Sequence, residues 1–283
     1  MKKQLAITAD CVCDLSDDML DDLAIKVIYF YITTDNGCFK DMDEITAGNV
    51  VEYFARGGKF INTDAPEVEE YEELFEKVLR NSEEIIHITI ASKLSRSYAR
   101  ATQAAKKFAG KVHVFDTGHL STGIGHLVIK AVEMAQEGKN ASEILEILES
   151  KKDKISTSFI ADKVDYLYRN GRVNKAVMLL CSTFKIHPVL TMKGGYLKIK
   201  TVYIGNYEKC VLRYARRELK KAAGIEKKRV FITHASCPLR IINKVRDFMT
   251  SQCPFEEIYV TDASATITSN CGANTLGVLF VRE

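Results

Sequence analysis

Residues 85–108, IIHITIASKLSRSYARATQAAKKF, change their periodicity half-way along. They open as an isoleucine-rich apolar run, 85–90, with the length and β-branching of a buried strand. They close with helical spacing, Tyr98, Ala101, Ala105 and Phe108 sharing one apolar face. Between the two lies a turn carrying Ser92, Ser95 and Ser97. A strand that hands over to a helix puts this turn at a helix N-terminus, where unpaired N–H groups carry partial positive charge. With hydroxyls, Lys93 and Arg96 in the same turn, the stretch reads as an anion site. Ser95 or Ser97 would equally serve as an N-cap. The residues alone leave capping and ligand contact both open.

The preceding and following segments repeat this alternation. Residues 4–9 read as a first strand, ending at Asp10, with Asp14-Leu15-Ser16 as a helix cap. Residues 25–32 read as a second strand running into a Thr-Thr-Asp-Asn-Gly turn. A helix over 49–56 stops at Gly57-Gly58. Pro66, followed by Glu67, Glu69 and Glu70, marks a further helix start. Thr63 lies just before it, as cap or ligand contact. Residues 112–115 form a short strand ending at Asp116-Thr117, and Ser121, Gly123 and Gly125 open a helix to about Gln136. A helix follows over 141–152. Strand–helix alternation implies a parallel sheet covered on both faces. Ligands bind beyond the carboxyl ends of such strands, so Asp10, Ser95 and Asp116 are expected along one edge.

The second half has a different grammar. Residues 155–161 are strand-like and 162–170 helical. Gly171 is a helix stop with Arg172 just beyond it, and 173–184 is apolar and helical. Residues 188–191 and 196–203 flank Lys193-Gly194-Gly195, a hairpin signal. Helices over 208–223 and 239–249 alternate with strands over 229–233 and 257–261; the tail, 267–281, holds Asn270-Cys-Gly-Ala-Asn274 and an apolar end. A hairpin among single strands implies a mixed sheet. The expected architecture is therefore α/β in two domains. Residues 1–155 form a three-layer α/β/α domain with a parallel sheet, and 156–283 an α/β domain with a mixed sheet.

Composition limits function more than it specifies it. With 283 residues, 46% hydrophobic, the chain has ample core for two domains. A net charge of +3 gives no sign of nucleic acid. No apolar run approaches a membrane span, and the short apolar start interrupted by Asp10 does not read as a signal peptide. The protein is expected in the cytoplasm. Eight cysteines include no C-x-x-C pair, so ordinary buried thiols are expected rather than disulfides or zinc. Arg213, Arg216, Arg217, Lys220 and Lys221 make one helix basic, as a solvated face or a dock for an acidic partner. His234 ends a strand, and a lone histidine is more often structural than catalytic. No nucleophile elbow, Walker loop or metal-binding histidine pair is present. This points to binding rather than catalysis.

A series of motifs now has a collective meaning. Thr8-Ala9-Asp10-Cys-Val-Cys-Asp14-Leu15, Thr63-Asp-Ala-Pro66, Ser92-Lys-Leu-Ser95-Arg-Ser-Tyr98, Asp116-Thr117 with Ser121-x-Gly-x-Gly125, Gly171-Arg172-Val173, His234-Ala235 and Cys271-Gly-Ala-Asn-Thr-Leu-Gly277 follow one another as in the DegV family. Each is weak alone; the order is specific, and it spans essentially the whole chain. The resemblance implies two α/β domains with a long-chain fatty acid between them. It further implies the fatty-acid-binding subunit of a bacterial fatty acid kinase, in which a separate ATP-dependent kinase subunit phosphorylates the bound carboxylate. The acyl phosphate then feeds phospholipid synthesis. No cofactor, metal, nucleic acid or stable membrane insertion is implied.

Residue by residue, Ser95 matches the Ser of the family's Leu-Ser-Gly-Thr-Tyr turn, which hydrogen-bonds the carboxylate. Thr63 matches the Thr of Thr-Ser-Gln-Pro, its partner, and Arg172 the Arg of Gly-Gly-Arg. Asn270 stands where the family usually has the His of His-x-Gly-Pro-Gly, with Ala273 and Asn274 after Gly272. Arg96 replaces the Gly after the binding Ser, Asp64 replaces a Ser, and Cys11 another. Thr201-Val-Tyr203 stands where members carry Lys-x-Arg. The resulting expectation is a non-enzymatic fatty acid carrier binding through Thr63, Ser95, Arg172 and Asn270. Ser92, Asp10, Asp116 and His234 are secondary candidates. The alternatives are a carrier of another carboxylate lipid or small acid without a kinase, an acyl hydrolase or transferase using Ser95 with His234, and a purely structural protein.

Overall fold

The computed structural model describes residues 3–169, 175–220 and 224–283. The first half runs β1 (Lys3–Asp10), α1 (Asp17–Asp22), β2 (Lys26–Ile28), β3 (Tyr31–Thr34), β4 (Gly37–Lys40), α2 (Ala47–Ala55), β5 (Ile61–Asp64), α3 (Val68–Leu79), β6 (Ser82–Thr89), α4 (Ser97–Ala105), β7 (Val112–Asp116), α5 (Thr122–Gln136) and α6 (Ala141–Lys152). β2, β1, β6 and β7 pair in that order, all parallel. β6 is buried continuously from Ile85 to Thr89, the mark of a parallel strand covered on both faces. Tyr71 and Phe75 of α3 and Ala101 and Ala104 of α4 close one face against Ile85 and Val112. α5 and α6 close the other.

The apolar run over 25–32 is two strands rather than the single one expected. It breaks at Tyr29-Phe30, so β2 joins the parallel sheet and β3 turns away into a separate antiparallel sheet of order β4-β3-β5. The Asp35-Asn36 turn between β3 and β4 was read as a turn, and hairpin chemistry at Asn-Gly explains why a strand follows. The helix cap expected at Asp14-Leu15-Ser16 is present, and Ser16 supplies it, accepting from Met19 N at 3.4 Å at the start of α1.

The second half runs β8 (Ile155–Ser156), β9 (Ser158–Ile160), α7 (Asp165–Arg169), α8 (Lys175–Thr183), β10 (Ile186–Lys193), β11 (Tyr196–Ile204), α9 (Tyr207–Lys220), β12 (Ile225–Ala235), α10 (Leu239–Gln252), β13 (Glu257–Asp262), α11 (Ala265–Cys271) and β14 (Thr275–Arg282). A seven-stranded mixed sheet has the order β11-β10-β9-β14-β12-β13, with β8 on β14. β12 and β13 are parallel; the remaining pairings are antiparallel. The Gly194-Gly195 hairpin lies where its sequence placed it, joining β10 to β11. α9 and α10 cover the outer face through Tyr214, Val211, Ile241 and Val245.

α5 fills the space between the two large sheets. Every residue from Thr122 to Ile129 is buried, and its contacts reach β1 and β6 on one side and β8 and β14 on the other. One apolar cluster therefore runs from Ile7 and Ile86 through Ile124 and Leu127 to Phe231 and Leu279. We propose the domain boundary near Ile155, where α6 gives way to the first strand of the mixed sheet.

Two glycines let α5 approach so closely. A Cβ on Gly123 would overlap Thr157 Oγ1 and lie 3.2 Å from His119 Cβ; one on Gly125 would lie 2.8 Å from Leu15 Cδ2. Glycine costs a helix about 1 kcal/mol relative to alanine, and here close packing offsets it. Gly123→Ala is accordingly expected to destabilise the protein by about 1–3 kcal/mol through overpacking, despite its better helix propensity. Urea unfolding of both proteins measures this; equal or higher stability would show that α5 is free to shift.

Candidate functional site

The turn after β6 is held from both sides by carboxylates that end neighbouring strands. Ile90 N donates to Asp10 Oδ2 at 2.8 Å, and Ser92 N to Asp116 Oδ1 at 3.1 Å. Asp10 also accepts Ser97 Oγ at 2.7 Å and Tyr71 OH at 3.4 Å, and His87 Nε2 lies 3.4 Å away. Asp10 is completely buried. Asp10 thus spends its oxygens on the turn, Ser97 and Tyr71, Asp116 Oδ1 takes the N–H groups of Ser92 and Gly118, and neither lines the cavity described next. They share the strand edge as expected, but they position the turn.

That cavity, about 530 Å³, lies where the turn, β5 and α11 meet. Thr63, Asp64, Ser92, Lys93, Ser95, Arg96 and Asn270 belong to its polar wall, and Phe30, Ile90, Leu120, Leu197 and Ile267 to its apolar wall. Leu120, Ile267 and Cys271 also line an adjoining apolar slot of about 20 Å³ that continues past Phe159, Ala263 and Leu279. A polar chamber therefore adjoins a small apolar slot against the mixed sheet, and the two share Leu120, Ile267 and Cys271 as lining.

Hydrogen bonding determines what the hydroxyls can do. Ser95 Oγ accepts the Ser97 N–H at 3.2 Å, so Ser95 does stabilise the helix start. Thr63 Oγ1 accepts Asn270 Nδ2 at 3.3 Å, and the same amide donates to Thr266 O at 2.9 Å. A hydroxyl has one proton and two lone pairs. With an acceptor position engaged on each, Thr63 and Ser95 both keep an O–H to donate. Two donors on one cavity wall suit an anion. Capping and ligand contact are compatible at Ser95, because they use different parts of the hydroxyl.

α11 brings Asn270 to this wall, held by contacts distant in sequence. Its leading N–H groups face buried carboxylates from the far end of the chain. Ser264 N donates to Asp14 Oδ1 at 3.0 Å, Ala265 N to Asp41 Oδ1 at 2.7 Å and Thr266 N to Asp41 Oδ2 at 2.8 Å. Ile267 N donates to the Ser264 hydroxyl oxygen at 3.3 Å. Asp14 also accepts Ser121 Oγ at 2.5 Å, tying in the start of α5. Burial pushes the Asp14 carboxyl up to about 7, against the lowering effect of its bonds to Ser121 and Ser264. Burial raises Asp41 as well.

The other candidates fall elsewhere. His234 lines the apolar slot, its Nδ1 3.3 Å from Asp262 Oδ1, and burial lowers its pKa. Among the described residues no hydrogen bond joins it to Ser95, so the nucleophile–base pair of a hydrolase is not assembled. Arg172 lies outside the described residues. Cys11 and Cys13 are buried, their thiols pushed up by burial, Cys13 to about 12. Cys38, by contrast, is exposed, and Cys181 and Cys253 are half-buried. No His, Cys, Asp and Glu cluster among the described residues could hold a metal ion. No helix among them is long and apolar enough to cross a membrane.

A family model described as an uncharacterised protein, DegV family, matches residues 4–283. The chain belongs to the DegV family. A DegV domain-containing protein of Caldanaerobacter subterraneus is 27% identical, over 98% of this chain and 99% of its own. A Thermus thermophilus DegV protein, described by its fatty acid binding, superposes with a TM-score of 0.90 at 26% identity, covering 99% of this chain and 100% of that one. The Streptococcus pneumoniae fatty acid kinase B3 protein, loaded with linoleic acid, superposes at 0.83 with 19% identity, covering 99% and 100%. Within this DegV chain, Arg96 Nη2 is paired with Asp64 Oδ2 at the cavity wall.

The raised Asp14 carboxyl predicts a signed pH dependence. Its folded pKa lies above the ordinary aspartate value, so the stability it supports is full below about pH 4 and is lost as pH rises through about 7. Asp14→Asn stays neutral throughout. The stability advantage of the wild type over Asp14→Asn is therefore expected to shrink by about 1–3 kcal/mol between pH 5 and pH 7.5. Urea unfolding at the two pH values checks it. Comparing the variants cancels the opposite trend of His126, which burial holds down at about 4.

Proposed function

We propose that this DegV protein binds a long-chain fatty acid, with the carboxylate at Thr63 and Ser95 and the acyl chain along the apolar wall of the same cavity, towards the slot, which at about 20 Å³ has to widen to admit it. The observation that carries the reading is that both hydroxyls keep a donor for one cavity, and that Leu120, Ile267 and Cys271 line both that cavity and the slot. Asn270 orients Thr63 from the opposite half of the chain, and Arg172 completes the set as a candidate. The fatty-acid-bound state of structural relatives supports the same reading.

Magnitudes assign the roles. Each buried methylene is worth about 0.8 kcal/mol, so a long acyl chain supplies on the order of 10 kcal/mol gross. A hydrogen bond to a charged group adds about 1.5–3 kcal/mol. Retention therefore comes from the apolar surface that covers the chain, and orientation from the hydroxyls. A head held this way, with its tail buried, is suited to presentation of the carboxylate to an ATP-dependent kinase subunit, which makes acyl phosphate. In this reading the chain is a carrier, and catalysis belongs to the partner. Asn270 and Arg96 favour a second reading, a carrier of another carboxylate lipid or small acid without a kinase.

Native mass spectrometry and lipid extraction of the purified protein are expected to recover long acyl chains. Protein that is clean and also refuses added palmitate and oleate would remove the proposal; extraction of a short acid would favour the second reading. Combining Thr63→Val with Ser95→Ala is expected to weaken palmitate binding by at least about tenfold. Turnover of acyl esters that vanishes in Ser95→Ala would instead support a hydrolase.

A further inference from the structure

One ion pair in the cavity wall has two halves held with unequal firmness. Asp64 ends β5, and its Oδ1 takes the Ala65 N–H at 2.8 Å and Arg100 Nη1 at 3.4 Å. Arg100 is anchored. Only 12% of its side chain is exposed, and it also donates to Ala65 O at 2.5 Å, Pro66 O at 3.1 Å and Glu67 Oε1 at 2.7 Å. Arg96 is not anchored: 66% of its side chain is exposed, and Asp64 Oδ2 is its ion-pair partner. Asp64 therefore keeps a counter-charge in Arg100 wherever Arg96 goes. An ion pair this exposed contributes little, so Arg96 can leave it at small cost.

Its position gives it somewhere to go. Arg96 follows Ser95 in the chain and lines the same cavity as Thr63 and Ser95. The other cation of that wall, Lys93, lies with its ammonium 5.9 Å from the Tyr196 ring centre and its stem against Gly195 of the β10–β11 hairpin. Arg96 is thus the less firmly held positive charge next to the two hydroxyl donors, and its planar fork matches a carboxylate.

We propose that Arg96 is a specificity-determining residue that exchanges Asp64 for the head of an ionised lipid, selecting acids over neutral lipids of equal length. Asp64 is then its competitor. This rests on the fatty-acid reading and adds to it a discrimination that hydroxyl donors alone would not give, since an alcohol head also accepts hydrogen bonds.

The probes are palmitic acid and cetyl alcohol, which share their chain and differ in head charge. Their affinities are measured for the wild type, Arg96→Gln and Asp64→Asn by displacement of a fluorescent fatty acid. The acid-over-alcohol ratio is expected to fall about tenfold in Arg96→Gln and to rise in Asp64→Asn. Asparagine keeps an Oδ1 for the Ala65 N–H, so the wall retains its shape. Acid binding should also weaken with salt more steeply in the wild type than in Arg96→Gln. A ratio that stays within about twofold in Arg96→Gln, or that falls in Asp64→Asn, overturns the exchange. A wild type that takes up neither probe overturns the fatty-acid reading as well, so the two failures are distinct.

Discussion

Two carboxylates from the first 41 residues hold a helix that begins at residue 265, and the cavity wall depends on that contact. A helix N-terminus presents N–H groups with no partner in the helix. At α11 those of Ser264, Ala265 and Thr266 find Asp14 and Asp41, and that of Ile267 finds the Ser264 hydroxyl. The helix dipole favours negative charge there, while burial resists it. The result fixes Asn270 opposite Thr63, so groups some two hundred residues apart in sequence share a hydrogen bond.

The strand-end aspartates do comparable work on the other wall. Asp10 and Asp116 fasten the Ser92–Ser95 turn through backbone N–H groups, and Asp10 also engages the first residue of α4. Function and structure here divide between neighbouring residues. Buried carboxylates set the backbone, and hydroxyls beside them keep the donors. α5 then joins the walls from behind, since its completely buried first turns touch both large sheets.

Much of the candidate site was legible because its residues sit at punctuation. Ser95 lies where a strand period becomes a helix period, Thr63 just before Pro66, and the Gly194-Gly195 hairpin between two apolar runs. Local chemistry shows at such places. The contacts of Asp14 and Asp41 with α11 leave no local mark, because their partners lie more than two hundred residues away. The split of the 25–32 run was hidden for a similar reason. Apolar content marks burial, but the sheet each half joins is settled by what lies beside it. α11 is seven residues long and lies in an apolar tail, too short for its period to stand out.

By itself the sequence determined the α/β alternation, the parallel sheet of the first half, the hairpin of the second, and hydroxyls at turns suited to an anion. These follow from periodicity and turn chemistry, which act over a few residues. Tertiary structure alone decided that the Ser95 turn, Thr63 and Asn270 face one cavity, that Arg96 meets Asp64 there, and that a small apolar slot adjoins it against the mixed sheet. Those facts come from packing and from satisfying buried polar groups across distant segments, for which no local pattern carries a signal.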